Sequence, residues 1–137
     1  MDSLKIRVLN DTDYEEILTK WWKDWNWDAP MKDFLPEEGK GGMIVFDGIT
    51  PVCAGFLYAT NSKVAWIDWI ISNKEYRVKP TRQSAIKLLI QILTDAAKEG
   101  GYTYSYALIK SKPLIQVYKD YGYIQGDSYT SEMIKKL

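Results

Sequence analysis

Hydrophobic positions at the start of the chain alternate with polar ones and then change to a helical period. Leu4 to Leu9 alternates apolar with basic side chains, which is the pattern of a half-buried strand. The polar sequence from Asn10 to Asp13 supplies helix-cap residues. From Tyr14 to Trp25, apolar residues recur at helical spacing. The pattern therefore predicts a strand followed by an amphipathic helix.

The middle of the chain carries a polar stretch and then three apolar, β-rich segments. The polar stretch from Asp28 to Lys40 contains prolines and acidic residues, so we expect a short helix or a loop there. Turn residues separate the three segments Gly41 to Asp47, Val52 to Thr60 and Val64 to Ser72. Strands joined by short turns pair antiparallel, so the pattern predicts an antiparallel meander.

The clearest helical period lies between Ala85 and Ala97, where apolar residues recur at i, i+3, i+4 and i+7 and then continue. Gly100-Gly101 ends this predicted helix. The alternating segment Tyr102 to Ile109 predicts a strand. A right-handed crossover through the helix places that strand parallel to Val64 to Ser72.

The last segments predict one more helix and the end of the sheet. Ser111-Lys112-Pro113 begins a short helix, which Gly122 closes. Tyr123 to Leu137 is expected to form one or two closing strands. At 137 residues, the chain has room for one core, so we expect a single domain over residues 1–137. Its class is α+β, a three-layer arrangement with helices on both faces of a mixed, mostly antiparallel sheet.

Composition narrows the classes of function. Lysine and arginine number 18 and aspartate and glutamate 18, so no overall field favours nucleic acid or a membrane surface. The sequence has no histidine, which excludes histidine-dependent hydrolases and makes a metal site unexpected. Cys53 is the only cysteine, so intrachain disulfides are excluded, and we expect it to be inert packing. The first residues lack a secretory signal pattern, so we expect a cytoplasmic protein.

A cationic turn precedes the long predicted helix. Arg77, Lys79 and Arg82 crowd the helix entrance, where unpaired amides and the helix dipole favour an anion. These residues fit a cradle for a pyrophosphate, and they also fit a solvated basic turn.

The segment from Ser111 to Tyr123 reads Ser-Lys-Pro-Leu-Ile-Gln-Val-Tyr-Lys-Asp-Tyr-Gly-Tyr. It resembles the late motif of the GCN5-related N-acetyltransferases (GNATs), in which a cap residue opens a short helix, a tyrosine follows seven positions later and a Gly-aromatic pair ends it. Ser111, Tyr118 and Gly122-Tyr123 occupy those positions. The predicted order of elements matches this family over essentially the whole chain, so the resemblance implies the acyl-CoA N-acyltransferase fold.

The resemblance also implies where acetyl-CoA would bind. The strand Val64 to Ser72 would splay from its parallel neighbour, and the pantetheine arm would lie in the gap. Tyr118 would act as the general acid that protonates the leaving thiolate. Ser111 would cap its helix with less reach towards the cofactor than the asparagine often found there. The other cofactor-binding residues would be the backbone groups of Ile70, Ile71 and Ser72 and, for the pyrophosphate, Arg77, Lys79, Thr81, Arg82, Gln83 and Ser84.

One departure from the family pattern affects the pyrophosphate turn. The family sequence Arg/Gln-x-x-Gly-x-Gly/Ala places glycines where the backbone approaches the anion, whereas Arg77 to Ala85 contains none. Either side chains and cationic charge replace the missing backbone contacts, which we favour, or the cofactor site has decayed.

A base and an acceptor site complete the hypothesis. Asp68 is the one acid within its apolar strand, where burial would raise its pKa, so it is either the catalytic base or an outward-facing residue. Four tryptophans lie close together in the first helix region, which forms one wall of the acceptor site in the resembling family. Trp21 and Trp25 are expected to point inward, and Trp22, Trp27 and Asp28 are the candidate acceptor-binding residues.

The sequence thus predicts acetyl transfer from acetyl-CoA to a primary amine, by direct attack in a ternary complex. The amine is either a small molecule or part of a peptide, and the protein is a monomer or a homodimer. A different function stays open: a catalytically silent GNAT-like module that binds a protein partner through the tryptophan-rich surface.

Overall fold

The computed structural model describes residues 4–128 and 131–137. Its five strands are β1 (Leu4–Val8), β2 (Gly42–Asp47), β3 (Thr50–Tyr58), β4 (Val64–Ser72) and β5 (Tyr104–Tyr106). A π-helical turn at Tyr14–Leu18 continues into α1 (Thr19–Asp24), and the longer helices are α2 (Lys79–Glu99) and α3 (Lys112–Asp120). Two 3₁₀ turns, Lys32–Phe34 and Pro36–Gly39, occupy the polar stretch for which we expected a short helix or a loop.

The strands form one mixed sheet in the order β1-β2-β3-β4-β5. The first three pairings are antiparallel, and β4 and β5 run parallel, joined through α2. The predicted fold class, the meander and the parallel crossover are therefore confirmed. The π-helical start of the first helix was not foreseen, because a π turn leaves the apolar spacing of the sequence almost unchanged.

Two hydrophobic cores lie on opposite faces of the sheet. On one face, α2 and α3 cover the strands, and Leu89, Leu93 and Tyr118 pack with Ile67 of β4. On the other face, Leu18, Trp21 and Trp22 of the first helix region pack with residues of β2, β3 and β4. Burial of apolar side chains on both faces is what stabilises this three-layer arrangement. No helix among the described residues is long and apolar enough to cross a bilayer.

The end of the chain differs from the prediction. Residues 123–128 and 131–137 contain no strand, and β5 is shorter than the alternating segment Tyr102 to Ile109. Ile124 and Met133 are 95% and 88% exposed, so these apolar side chains gain no burial. A strand is stabilised by burying one face against its neighbours, and the exposed apolar side chains at the end of the chain make no such contact.

The close pairing of β2 and β3 depends on a glycine. A Cβ at Gly42 would overlap the backbone carbonyl of Gly55, which cannot move without separating the strands. We expect Gly42→Ala to lower the free energy of unfolding by about 2 kcal/mol, measured by urea denaturation. Gly126→Ala is the control, because a Cβ there meets nothing within 4 Å. Equal stability of the two variants would contradict this packing.

Candidate active site

The two parallel strands separate shortly after they meet. They pair at only three positions, Val64 with Tyr104, Ala65 with Ser105 and Trp66 with Tyr106. Beyond Trp66, β4 continues to Ser72, while the chain after Tyr106 leaves the sheet. A cavity of about 420 Å³ lies between them, with Ile67 and Ile70 of β4 on one wall and Leu108 and Ser111 on the other. The gap that the resemblance implied is therefore present.

Both connections that leave this end of the sheet lead into helix N-termini. The chain passes from β4 into α2 and from β5 into α3. The first amides of a helix have no partner within it, and the helix dipole makes this end positive. The end of the sheet where β4 and β5 separate therefore leads to two helix N-termini, an environment that suits an anionic ligand.

A β-bulge in β4 shapes the wall of the cavity. Ala54 pairs with Ile71 and Phe56 with Asp68, so Gly55 lies opposite two residues of β4. Trp69, within the bulge, has φ of +56°, a left-handed conformation that is uncommon for a bulky side chain. The extra residue reverses the side-chain alternation: Ile67 before the bulge and Ile70 after it pack on the α2 face.

Trp69 therefore faces the first helix region, and its ring is held there by two others. The rings of Trp22 and Phe34 meet it edge-on, with centroids 6.1 and 5.9 Å away. Such edge-to-face pairs fix ring orientation as well as adding stability. Together with Trp27, Trp69 forms an aromatic part of the cavity wall.

Asp68 lines the cavity with its carboxylate held by two bonds. The indole N–H of Trp66 donates to Oδ2 at 3.2 Å, and the backbone N–H of Trp69 donates to Oδ1 at 2.7 Å. Burial raises the pKa of Asp68, the two bonds oppose that shift, and the negative charge of Glu132 adds to it. Asp68 is half-buried, and a carboxyl with a raised pKa is suited to proton transfer.

Tyr118 is on the opposite wall and carries an unused hydroxyl. The side chain is 2% exposed and packs edge-on against Tyr123, yet its Oη has no hydrogen-bond partner among the residues that the structure describes. Burial raises its pKa above the ordinary phenol range, and Tyr123 and Asp68 add to the shift. A buried hydroxyl without a partner is costly, and this one belongs to a residue that lines the cavity, which makes it a candidate for contact with a ligand there.

Ser111 holds the start of α3. Its Oγ accepts from the backbone N–H of Leu114 at 3.4 Å, which makes it the N-cap that the sequence predicted. Ser111 also lines the cavity, next to Lys110. The cap therefore fixes the helix that presents Tyr118 to the same space.

The cationic turn leads into the first turn of α2. The helix begins at Lys79 with Pro80 in its first positions, and the N-cap residue Val78 makes no side-chain cap bond. The ion pairs within the described chain leave out all three cations of the turn, Arg77, Lys79 and Arg82. None of the turn residues lines the cavity. A ligand that contacts both the cavity and the cationic turn must therefore extend along β4. Thr81, Arg82 and Ser84 are half-buried, and Gln83 is exposed.

The remaining predicted cofactor residues are divided between cavity and core. Ile70 lines the cavity, whereas Ile71 is buried in the core on the α1 face. The carbonyl of Ser72 accepts from the indole N–H of Trp25 at 2.8 Å, so this carbonyl already has a partner.

The tryptophans of the first helix region are placed differently from the expectation. Trp27 is 52% exposed and lines the cavity as expected, but Trp22 is fully buried and makes no part of the cavity wall. The kink after α1, where Asn26 has φ of +59°, changes the direction of the chain between these tryptophans, so helical spacing no longer applies to both. Asp28 is exposed and outside the cavity wall.

Two residues that line the cavity were not among the sequence candidates: Trp69 enters the wall because of the bulge, and Lys110 lines it beside the cap. The negative charge of Glu132, which is distant in the sequence, adds to the raised pKa of Asp68. Strict alternation within β4 would place Trp69 on the α2 face, which is wrong. The only local sign of the β-bulge in the sequence is Gly55, which lies opposite it in β3. No local pattern connects Glu132 with β4.

Comparisons with known proteins find similarity at the level of structure. No protein-family model and no curated protein sequence matches this chain. Among solved structures, glucosamine-6-phosphate N-acetyltransferase from Arabidopsis thaliana superposes with a TM-score of 0.65 at 14% identity, covering 96% of this chain and 99% of that one. The ribosomal-protein-S18-alanine N-acetyltransferase from Escherichia coli gives 0.66 at 13% identity, over 90% and 79%. AAC(6')-Iy, in complex with a CoA-containing bisubstrate analogue, gives 0.66 at 12% identity, over 97% and 99%.

Proposed function

Because the chain has the fold of the GCN5-related N-acetyltransferases, we propose that it transfers an acetyl group from acetyl-CoA to a primary amine by direct attack in a ternary complex. The observation that carries this proposal is the cavity between the parted strands, lined by a tyrosine whose buried hydroxyl has no partner within the described part of the chain. Several structural neighbours are acetyltransferases, and one of them was solved with a CoA analogue.

The residues present fit this donor at the two strands. The edge of β4 beyond Trp66 is not paired with β5, so its backbone groups are placed to meet an extended pantetheine arm. The Tyr118 hydroxyl has no hydrogen-bond partner among the described residues, so no existing bond would have to break for it to protonate the sulfur. The turn that leads into α2 carries three cations, Arg77, Lys79 and Arg82, and no glycine, so charge would supply much of the pyrophosphate binding.

Asp68 and Tyr118 would divide the proton transfers. An alkylammonium with a pKa near 10.4 is neutral in only about one of 2,500 molecules at pH 7, so Asp68 would remove its proton. Acetyl-CoA supplies an activated acyl group with a thiol as its leaving group. Tyr118 would donate its proton to that sulfur as the carbon–sulfur bond breaks and would regain a proton, through water, from the newly acylated nitrogen. One proton of the ammonium is released overall.

The alternative of a partner-binding module loses its structural basis. Trp21 and Trp22 are buried, and only Trp27 of the four tryptophans is more than half exposed. The first helix region therefore lacks the tryptophan-rich surface that this alternative needs. Acetyl transfer is the function that the cavity favours.

The proposal predicts that CoA stabilises the protein against heat. A ligand at about 100 times its dissociation constant stabilises the folded state by about 2.7 kcal/mol, so the melting temperature should rise when CoA is added. Arg82→Ala should weaken CoA binding about fivefold, because it removes a charge-assisted contact to phosphate. Lys98→Ala is the control, since this exposed lysine lies about 24 Å away along α2. No shift at millimolar CoA would overturn the proposal.

A further inference from the structure

The connection that carries the cationic turn is attached to the sheet before it enters α2. Residues 73–78 join β4 to α2. The backbone N–H of Asn73 donates to the carbonyl of Val52 at 2.8 Å, and its Nδ2 donates to the carbonyl of Pro51 at 2.9 Å. Both acceptors lie in β3. The start of the connection is therefore fixed relative to the hairpin of β2 and β3.

Tyr76 makes a second attachment to the same hairpin, next to the cations. Its side chain is 8% exposed and belongs to the core on the α2 face. Its hydroxyl donates to Oδ2 of Asp47 at 2.6 Å, and Asp47 is the last residue of β2. A hydrogen bond to a carboxylate is short and about twice as strong as one between neutral groups. Tyr76 is therefore held both by its ring and by its hydroxyl.

This second attachment lies where the start of α2 has no cap bond from a side chain. Val78 is the N-cap residue, and an aliphatic side chain cannot accept from the first helix amides. Arg77 follows Tyr76 directly, and Lys79 is the first residue of the helix. The bond from Tyr76 to Asp47 is therefore well placed to fix the backbone that carries these two cations.

The position of that backbone matters for a phosphate site without glycine. Attraction between charges weakens as their separation grows, so the contribution of each cation depends on where its backbone holds it. A site that is ordered before the ligand arrives also loses less entropy on binding than one that the ligand must order. A group that fixes the turn in the free protein should therefore strengthen the binding of a phosphate there.

We propose that Tyr76 is a positioning residue for the acyl donor, and that its bond to Asp47 holds the cationic turn where Arg77 and Lys79 meet the pyrophosphate of CoA. This inference rests on the proposed function. It adds to the donor site a pair of residues that contact each other across the sheet and that need not touch the ligand.

Tyr76→Phe removes the hydroxyl and keeps the ring. Isothermal titration calorimetry should show the dissociation constant of CoA rising about tenfold, because the lost bond is charge-assisted. The dissociation constant of pantetheine, which lacks the nucleotide and the phosphates, should not change. A general loss of packing would weaken both ligands. Tyr14→Phe is the matched control, since it removes a hydroxyl that also donates at 2.6 Å, to the carbonyl of Pro30 on the opposite face of the sheet.

The partner residue provides an independent check. Asp47→Ala should also weaken CoA binding, and the double variant with Tyr76→Phe should bind CoA no more weakly than Asp47→Ala alone, because the bond is already lost. Asp47→Asn keeps an oxygen that accepts from the tyrosine hydroxyl and should retain most of the affinity. Additive effects of Asp47→Ala and Tyr76→Phe would contradict the proposed coupling.

Hydrogen exchange tests the positioning without a ligand. In Tyr76→Phe, the backbone amides of residues 73–82 should exchange about fivefold faster or more, because the turn opens more often. The amides of β3 should exchange as in the native protein. Tyr14→Phe should leave the exchange of residues 73–82 unchanged.

The outcomes separate this inference from the proposed function. Unchanged CoA binding in Tyr76→Phe, or equal weakening of CoA and pantetheine, overturns the positioning role and leaves the acetyltransferase proposal intact. Absence of CoA binding to the native protein overturns the proposed function. In that case hydrogen exchange still decides the role of the bond: faster exchange confined to residues 73–82 supports it, and unchanged exchange overturns it.

Discussion

Tyr118→Phe is expected to lower kcat about 100-fold while leaving the fold as stable as before or more stable. General acid catalysis contributes about 10²- to 10⁴-fold to a rate, and phenylalanine removes only the hydroxyl that would protonate the leaving sulfur. The same hydroxyl is buried and bonds to no group in residues 4–128 and 131–137, so its removal costs none of the hydrogen bonds seen there. The ring keeps its packing against Tyr123.

Two measurements check this expectation. Steady-state thiol release reports kcat, and thermal unfolding with and without CoA reports stability and donor binding. Tyr121→Phe is the matched control, because Tyr121 ends the same helix and lies outside the cavity wall. A rate that is unchanged in Tyr118→Phe would remove this tyrosine from the mechanism. A large loss of stability would show that the hydroxyl has a structural role.

Asp68→Asn is expected to lower kcat/KM about 100-fold and to remove the acid limb of its pH profile. In the native protein, burial raises the pKa of Asp68, so the carboxyl keeps its proton to a higher pH than an ordinary aspartic acid. Activity should therefore increase as the pH rises through this raised pKa, because only the ionised form accepts a proton. Asparagine cannot do so at any pH.

The control for this variant is Asp95→Asn, which alters an exposed carboxylate of α2. It should retain both the rate and the acid limb. Asp68→Glu keeps a carboxylate and should recover part of the activity. If Asp68→Asn lowers the rate but keeps the acid limb, Asp68 orients the acceptor and another group receives the proton.

Much of the fold follows from side-chain periodicity. The bounds of β4 coincide with the predicted segment Val64 to Ser72, because turn residues mark both of its ends. Helix α2 has the predicted apolar stripe, although it begins earlier, at Lys79, since Pro80 is well suited to a first helical turn. The predicted closing strands are absent from residues 123–128 and 131–137, where apolar side chains such as Ile124 and Met133 stay exposed and gain no burial.

The candidate site was only partly accessible to sequence reasoning. Asp68, Tyr118 and Ser111 line the cavity because the order of elements fixes which strand and helix ends face each other. The contribution of Trp69 depends on one extra residue in a strand pairing, and the effect of Glu132 on the pKa of Asp68 links segments that are distant in the sequence. Neither depends on local propensity, so neither leaves a periodic signal in the sequence.

The cationic turn without glycine has a consequence for the conditions under which the protein works. Backbone amides bind a phosphate through short directional bonds, whereas exposed arginine and lysine side chains act largely through their charge. Mobile ions screen exposed charges over about 8 Å at physiological ionic strength. Affinity for an anionic donor at Arg77, Lys79 and Arg82 should therefore fall as potassium chloride is added, more steeply than where glycine amides supply the contacts.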